Sequence, residues 1–372
     1  MPLPTDHHIV WSRVEPARHR HRLCESDVDA PDLEAMGLPW QAPLPAPGHA
    51  IQPELEHAIG GLWAAPGGRV LLTAGGSEAN AIVFGALLER GEEVLVETPG
   101  YEPHREVPRL FGVTVRRFVR PLGQGSLAAA VDQALGPETR MVVVTHPHNP
   151  SGEPIAPAAL AALDALAKRR NLWILCDEIF RDAIPEARGT FAALGPRWIT
   201  TSSLTKVYGL GGLRLGWIAG THEVRTRCAT VQNALSASPS VPSMALALAL
   251  VPHLDALRAR SQAMIAANRT RWEAIVAAGV PCTVPVQAHG TTAWALLPGE
   301  GEGDAFAAFA SQRERLALTP GRFFSEPRGF RVALGGEPAR CAPAFDALAR
   351  ALEAHASAPS IPRIEQTTTE AP

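Results

Sequence analysis

The chain has 372 residues, 46% of them hydrophobic and 19% charged. That composition excludes a disordered or collagen-like chain and predicts, at roughly 150 residues per domain, two domains or one large α/β domain with an appended lobe. With 34 Lys+Arg against 37 Asp+Glu the net charge is −3, and the densest basic cluster, Arg18, Arg20 and Arg22 among His19 and His21, is short, so no nucleic-acid partner is expected.

Residues 1–50 are rich in Pro and His with little periodicity, and are expected to form an N-terminal arm, extended apart from one short helix, that contributes to a small domain. An α/β pattern then begins. Residues 69–73 form an apolar run before a glycine pair, and 77–90 space Ala79, Ile82, Val83, Ala86 and Leu87 at helical intervals. Further strands are expected at 93–97, 113–118, 141–145, 172–177, 198–202 and 215–219, with helices between most of them. Short buried runs alternating with helices predict an α/β fold over 51–235, a large domain with a mainly parallel sheet covered on both faces. From 221 to 278 the sequence is Ala-rich and helical with a break near 236–242, which predicts a long connecting helix. Strands at 291–297 and 330–334 and helices at 304–315 and 339–355 then predict a smaller α+β domain over 236–355. The polar tail, 356–372, is expected to be disordered.

Five cysteines stand without CxxC spacing, so neither a disulfide framework nor a zinc site is expected, and a reducing, cytoplasmic compartment fits. No basic region precedes an apolar one at the N-terminus, and the longest apolar stretch, 244–251, is far shorter than the roughly 20 residues a bilayer requires. No secretory leader and no membrane partner are expected.

Four segments fall at predicted strand ends, where an open α/β sheet places its ligand site. One holds Ser203 and Lys206, followed by a glycine-rich stretch and Arg214. A second is an apolar strand ending in Asp177 and Glu178, and a third is a strand followed by Asn149-Pro-Ser-Gly. The fourth, Gly75-Gly76-Ser77, sits at a helix start, where free backbone N–H groups and the helix dipole favour a phosphate. Each alone reads equally well as a surface lysine, a paired strand-end acid or a plain loop. Together, in this order, they resemble the fold type I pyridoxal-phosphate enzymes, in particular the class I/II aminotransferase family, from about residue 45 to 350.

The resemblance implies an aspartate-aminotransferase-like fold, a pyridoxal 5′-phosphate cofactor, amino acid and 2-oxo acid substrates, and a homodimer. It implies that Lys206 forms the cofactor aldimine and shuttles the α-proton, that Asp177 pairs with the pyridinium nitrogen, and that Asn149 donates to the ring oxygen O3′. Gly75, Gly76, Ser77, Ser203 and Arg214 would hold the phosphate, Tyr101 would stack on the ring, and Arg331 would grip the substrate carboxylate with Asn149 nearby. No metal is implied. Two positions depart from the family: Phe180 stands where a tyrosine usually bonds O3′, and the segment 47–53 carries His49 but no tyrosine to reach a neighbouring subunit's phosphate. These departures keep a second reading open, a lyase or cyclase acting on an amino acid with the same cofactor.

Overall fold

The structure, a computed structural model, describes residues 7–41, 48–123, 125–187, 189–286 and 289–357. Helix α1 (His8–Val14) opens the arm, with the His7 side chain accepting the Ile9 N–H as its cap, and a three-residue strand, β1 (His21–Leu23), follows. Helix α2 (Gly48–Leu62) contains Pro53, so residues 48–53, expected ahead of the first helix, already belong to it. The side chain of His49 and residues 358–372 lie outside the described residues.

Strand and helix then alternate through β2 (Leu71–Thr73), α3 (Gly76–Leu87), β3 (Glu93–Thr98), α4 (Pro103–Leu110), β4 (Thr114–Val119) and α5 (Leu127–Ala134). They continue through β5 (Thr139–Thr145), α6 (Pro157–Arg170), β6 (Trp173–Asp177), β7 (Trp198–Ser203), β8 (Gly216–Ala219) and α7 (His222–Leu235). The seven strands form one sheet in the order β2-β8-β7-β6-β5-β3-β4, parallel except where β8 pairs with β2 and β7. Successive residues of a strand point to opposite faces, and the clusters follow that period. Val94, Val96, Met141, Val143 and Leu175 pack on one face with Ile82, Val83 and Phe84 of α3. Their neighbours Leu95, Val142, Val144, Ile174 and Cys176 pack on the other with Val131 of α5 and Leu163 and Leu166 of α6. Because both faces are covered, the strands read as continuous apolar runs in the sequence.

Helices α8 (Val241–Leu250) and α9 (Leu254–Ala277) follow the predicted break, so the expected long helix is three helices. The chain ends with β9 (Thr292–Leu296), α10 (Glu302–Glu314), β10 (Leu316–Pro320), β11 (Gly329–Ala333) and α11 (Pro338–Ser357). A second sheet takes the order β1-β10-β11-β9, and its first pair is parallel, His21 facing Leu316. Strands β1 and β10 are not apparent from the sequence pattern. The first of them means that the extended arm supplies an edge strand of the second sheet.

Candidate active site

The carboxyl ends of β3, β5, β6 and β7 open along one edge of the large sheet, facing β11 and the arm. A cavity of about 540 Å³ lies between them.

Its floor is set by Asp177, the last residue of β6. Oδ2 accepts a hydrogen bond from Asn80 Nδ2 at 3.0 Å and lies 3.2 Å from His104 Nε2, while Oδ1 accepts the Ile179 N–H. The Asn80 amide is itself oriented by Thr201, whose hydroxyl donates to Asn80 Oδ1 at 2.6 Å. This buried carboxylate has no Lys or Arg partner among the described residues, so a cationic or N–H group placed above it would find an acceptor.

At one end, Gly75 precedes α3 with φ +93, a conformation that favours glycine. A Cβ there would lie 2.5 Å from Arg214 Nη2. Arg214 is exposed and adopts φ +48, uncommon for a residue with a side chain, and its Nη2 donates to Ala74 O at 3.4 Å. The first amides of α3 and this guanidinium together form an anion cradle. Burial pushes the Tyr101 phenol up to about 12, with the nearby Ser77 acting against the rise.

Lys206 follows β7 through a turn in which Ser203 Oγ accepts the Thr205 N–H. Its Nζ lies 3.6 Å from Asp27 Oδ1. At the opposite end Arg331 of β11 is 2% exposed. Nη1 donates to Asn149 Oδ1 at 3.1 Å, and Nη2 donates to Cys24 O at 2.8 Å and Thr319 Oγ at 3.3 Å. Nε is buried with no partner, and no carboxylate lies within 4.0 Å of the guanidinium among the described residues. Burial pulls this arginine down to about 10.

Gly76, Ser77, Tyr101, Asn149, Asp177, Phe180, Lys206, Arg214 and Arg331 all line the one cavity. Gly75 and Ser203 stand behind its wall, shaping the two turns. Tyr208 points away, donating to Asp182 Oδ2 at 3.0 Å in the core. The sequence reading assigned no role to Asn80, His104, His8 or Asp27. The first two carried a signal, since Ser77 and Asn80, and Tyr101 and His104, are spaced three apart at helix starts and share a face. His8 and Asp27 carried none.

Comparison with known proteins decides the family. The description "Aminotransferase class I and II" matches residues 46–348. The chain belongs to this family. Its fold is the aspartate-aminotransferase fold, and the family's cofactor is pyridoxal phosphate. The chain is 32% identical to a probable N-succinyldiaminopimelate aminotransferase of Mycobacterium tuberculosis, over 49% of each chain, so it spans about half the length of that relative. It is 29% identical to capreomycidine synthase of Streptomyces vinaceus, over 72% of this chain and 70% of that one. The solved structure of the PLP-dependent cyclase OrfR superposes with a TM-score of 0.79 at 25% identity, covering 95% of this chain and 98% of that one. The cavity's donors suit the cofactor at each end: an anion cradle that a Cβ at Gly75 would fill, a buried carboxylate for a ring nitrogen, and an amine for an aldehyde. Among the described residues no helix is long and apolar enough to cross a membrane, and no cluster of side chains could hold a metal ion.

Proposed function

We propose that the chain is an aminotransferase that moves an amino group between an α-amino acid and a 2-oxo acid with pyridoxal phosphate. The observation that carries this reading is Arg331, a buried cation that lines the same cavity as Lys206 and has, among the described residues, no carboxylate partner and no partner at Nε. Leaving such a charge uncompensated is costly, and a substrate carboxylate compensates it in bidentate geometry.

In this reading the amides of Gly76 and Ser77, with Arg214, hold the phosphate, and Gly75 and Ser203 shape the turns that present them. Asp177, oriented by Asn80 and His104, holds a proton on the ring nitrogen. Asn149, its Oδ1 taken by Arg331, would have its Nδ2 donor left for O3′ and the substrate carboxylate. Tyr101 covers the ring. Lys206 Nζ would hold the cofactor through its aldehyde and, when free, would take up and return the proton of the substrate α-carbon. Asp27 is the counter-charge for that free ammonium, 3.6 Å away. The bound cofactor supplies an electron sink for the pair left at the α-carbon.

The test is incubation of the loaded protein with single amino acids and no acceptor. An aminotransferase releases one 2-oxo acid per site, stops, and restarts when a second 2-oxo acid is added. Continuous turnover without an acceptor supports the second reading, a lyase or cyclase, which Phe180 and the likeness to capreomycidine synthase and the cyclase OrfR favour. We also infer a cytoplasmic homodimer: the five cysteines are free thiols, which suits a reducing compartment, and the family resemblance supports the dimer.

A further inference from the structure

We infer that His8 is a substrate-binding residue, its imidazole brought over the cavity by α1 to donate a hydrogen bond to the substrate carboxylate beside Arg331. This rests on the proposed function, which supplies the carboxylate.

His8 is 5% exposed, lines the cavity, and has no hydrogen-bond partner at either ring nitrogen among the described residues. Its ring sits 5.1 Å from Phe323 and 5.7 Å from Phe324, with Tyr101 edge-on at 6.4 Å. The Arg331 guanidinium lies 5.1 Å from the same Phe324 ring, so the imidazole and the guanidinium both flank one aromatic group. Among these rings only Tyr101 has a hydrogen-bonding atom, and its hydroxyl is bonded to neither nitrogen of the imidazole. Two buried donors without acceptors, one on His8 and Nε of Arg331, thus belong to side chains that line one cavity.

Burial, then the charges of Arg331 and Lys206, keep the imidazole neutral, so whichever tautomer forms, one N–H remains to donate. A carboxylate has about four lone-pair sites and can accept from both groups at once. His8 is the buried residue of α1, and the helix has a second anchor that leaves the ring's nitrogens free. Its first turn is fixed through the backbone, the His8 N–H donating to Glu102 Oε2 at 2.8 Å. A histidine wanted only for packing would be better served by phenylalanine, which buries no polar atoms.

The experiment titrates the cofactor-loaded protein with two unreactive amines, 2-methylalanine and tert-butylamine, which differ by a carboxylate against a methyl group; binding is read from the bound cofactor's absorbance. His8→Phe keeps the aromatic packing and removes the donor. We expect it to weaken 2-methylalanine about ten- to a hundredfold, as for a hydrogen bond to a charged group, and to leave tert-butylamine unchanged. Equal losses for both probes, or no loss for 2-methylalanine, overturn the inference. His8→Leu, read in the same way, replaces a phenylalanine variant that does not fold. A wild-type protein whose spectrum responds to neither amine overturns the proposed function as well, whereas a normal wild-type response with an unaffected variant overturns only the role of His8.

Discussion

Phe180 stands where the family resemblance implies a tyrosine. It lies three residues after Asp177, is buried, and lines the cavity, yet offers no hydroxyl to the ring oxygen of the cofactor. In the proposed function the cofactor's O3′ would have one donor fewer, and its negative charge would hold a proton shared with Lys206 Nζ more tightly. Phe180→Tyr restores a donor and should lower the pH at which the bound cofactor's spectrum titrates by about one unit, the size of one hydrogen bond to a charged group. A spectrophotometric titration of variant and parent decides it, and an unchanged or raised midpoint refutes the account. Asn149 and Arg331 show why such residues are readable in the sequence at all. Both lie on or next to strands whose apolar pattern fixes their place at the sheet edge, whereas His8 reaches the cavity by a return of the chain that leaves no local pattern.

At the level of elements, the two strands that escaped the sequence reading have specific reasons. Strand β10 is fully buried, but it follows α10 directly, and the left-handed position that ends that helix is Arg315, φ +51, in place of the usual glycine. Strand β1 is three residues inside a basic stretch, and only its distant pairing with β10 makes it a strand. Helix α1 is of the same kind: seven residues are too few to be stable alone, so tertiary contacts must hold it. Glu102, at the start of α4, is the main polar one, accepting the His8 N–H and lying 3.5 Å from His7 Nε2. Burial raises this carboxyl, and the His8 N–H opposes the rise. Glu102→Ala should therefore release α1, at a cost of about 1 kcal/mol typical of a lost cap, while the sheet stays intact. Amide exchange should accelerate several-fold over residues 8–14 and remain unchanged in β5 and β6. Acceleration everywhere, or nowhere, rules out a local latch.

The whole molecule places its cavity between two sheets, so the site depends on loops that only the complete fold holds. The segment joining β5 to Asn149 is pinned by two buried imidazoles. His146 Nδ1 accepts the Ile155 N–H at 3.0 Å, and His148 bridges Ser151 Oγ and Pro99 O, each at 2.8 Å. Burial first, then nearby arginines, hold both well below the ordinary histidine range. The unfolded chain takes up these protons near pH 6.5 and the folded chain does not, so stability from this source is present above about pH 6.5 and is lost as the pH falls toward the folded pKa values. Glu178 and Asp182 oppose it: burial raises both, so their folded forms bind protons more readily and favour the fold in acid. Measuring wild type alone would mix the two effects. His148→Gln removes one imidazole and leaves the carboxyls. Although the variant should be less stable at pH 7.5, its unfolding free energy should fall less steeply between pH 6.5 and 5.5, by up to about 1.4 kcal/mol per pH unit, the slope of one proton. Denaturant titrations of both proteins at these pH values test this. Parallel slopes would mean that His148 titrates alike in the folded and unfolded chains, and the loop carrying Asn149 would then owe its acid sensitivity to His146 alone.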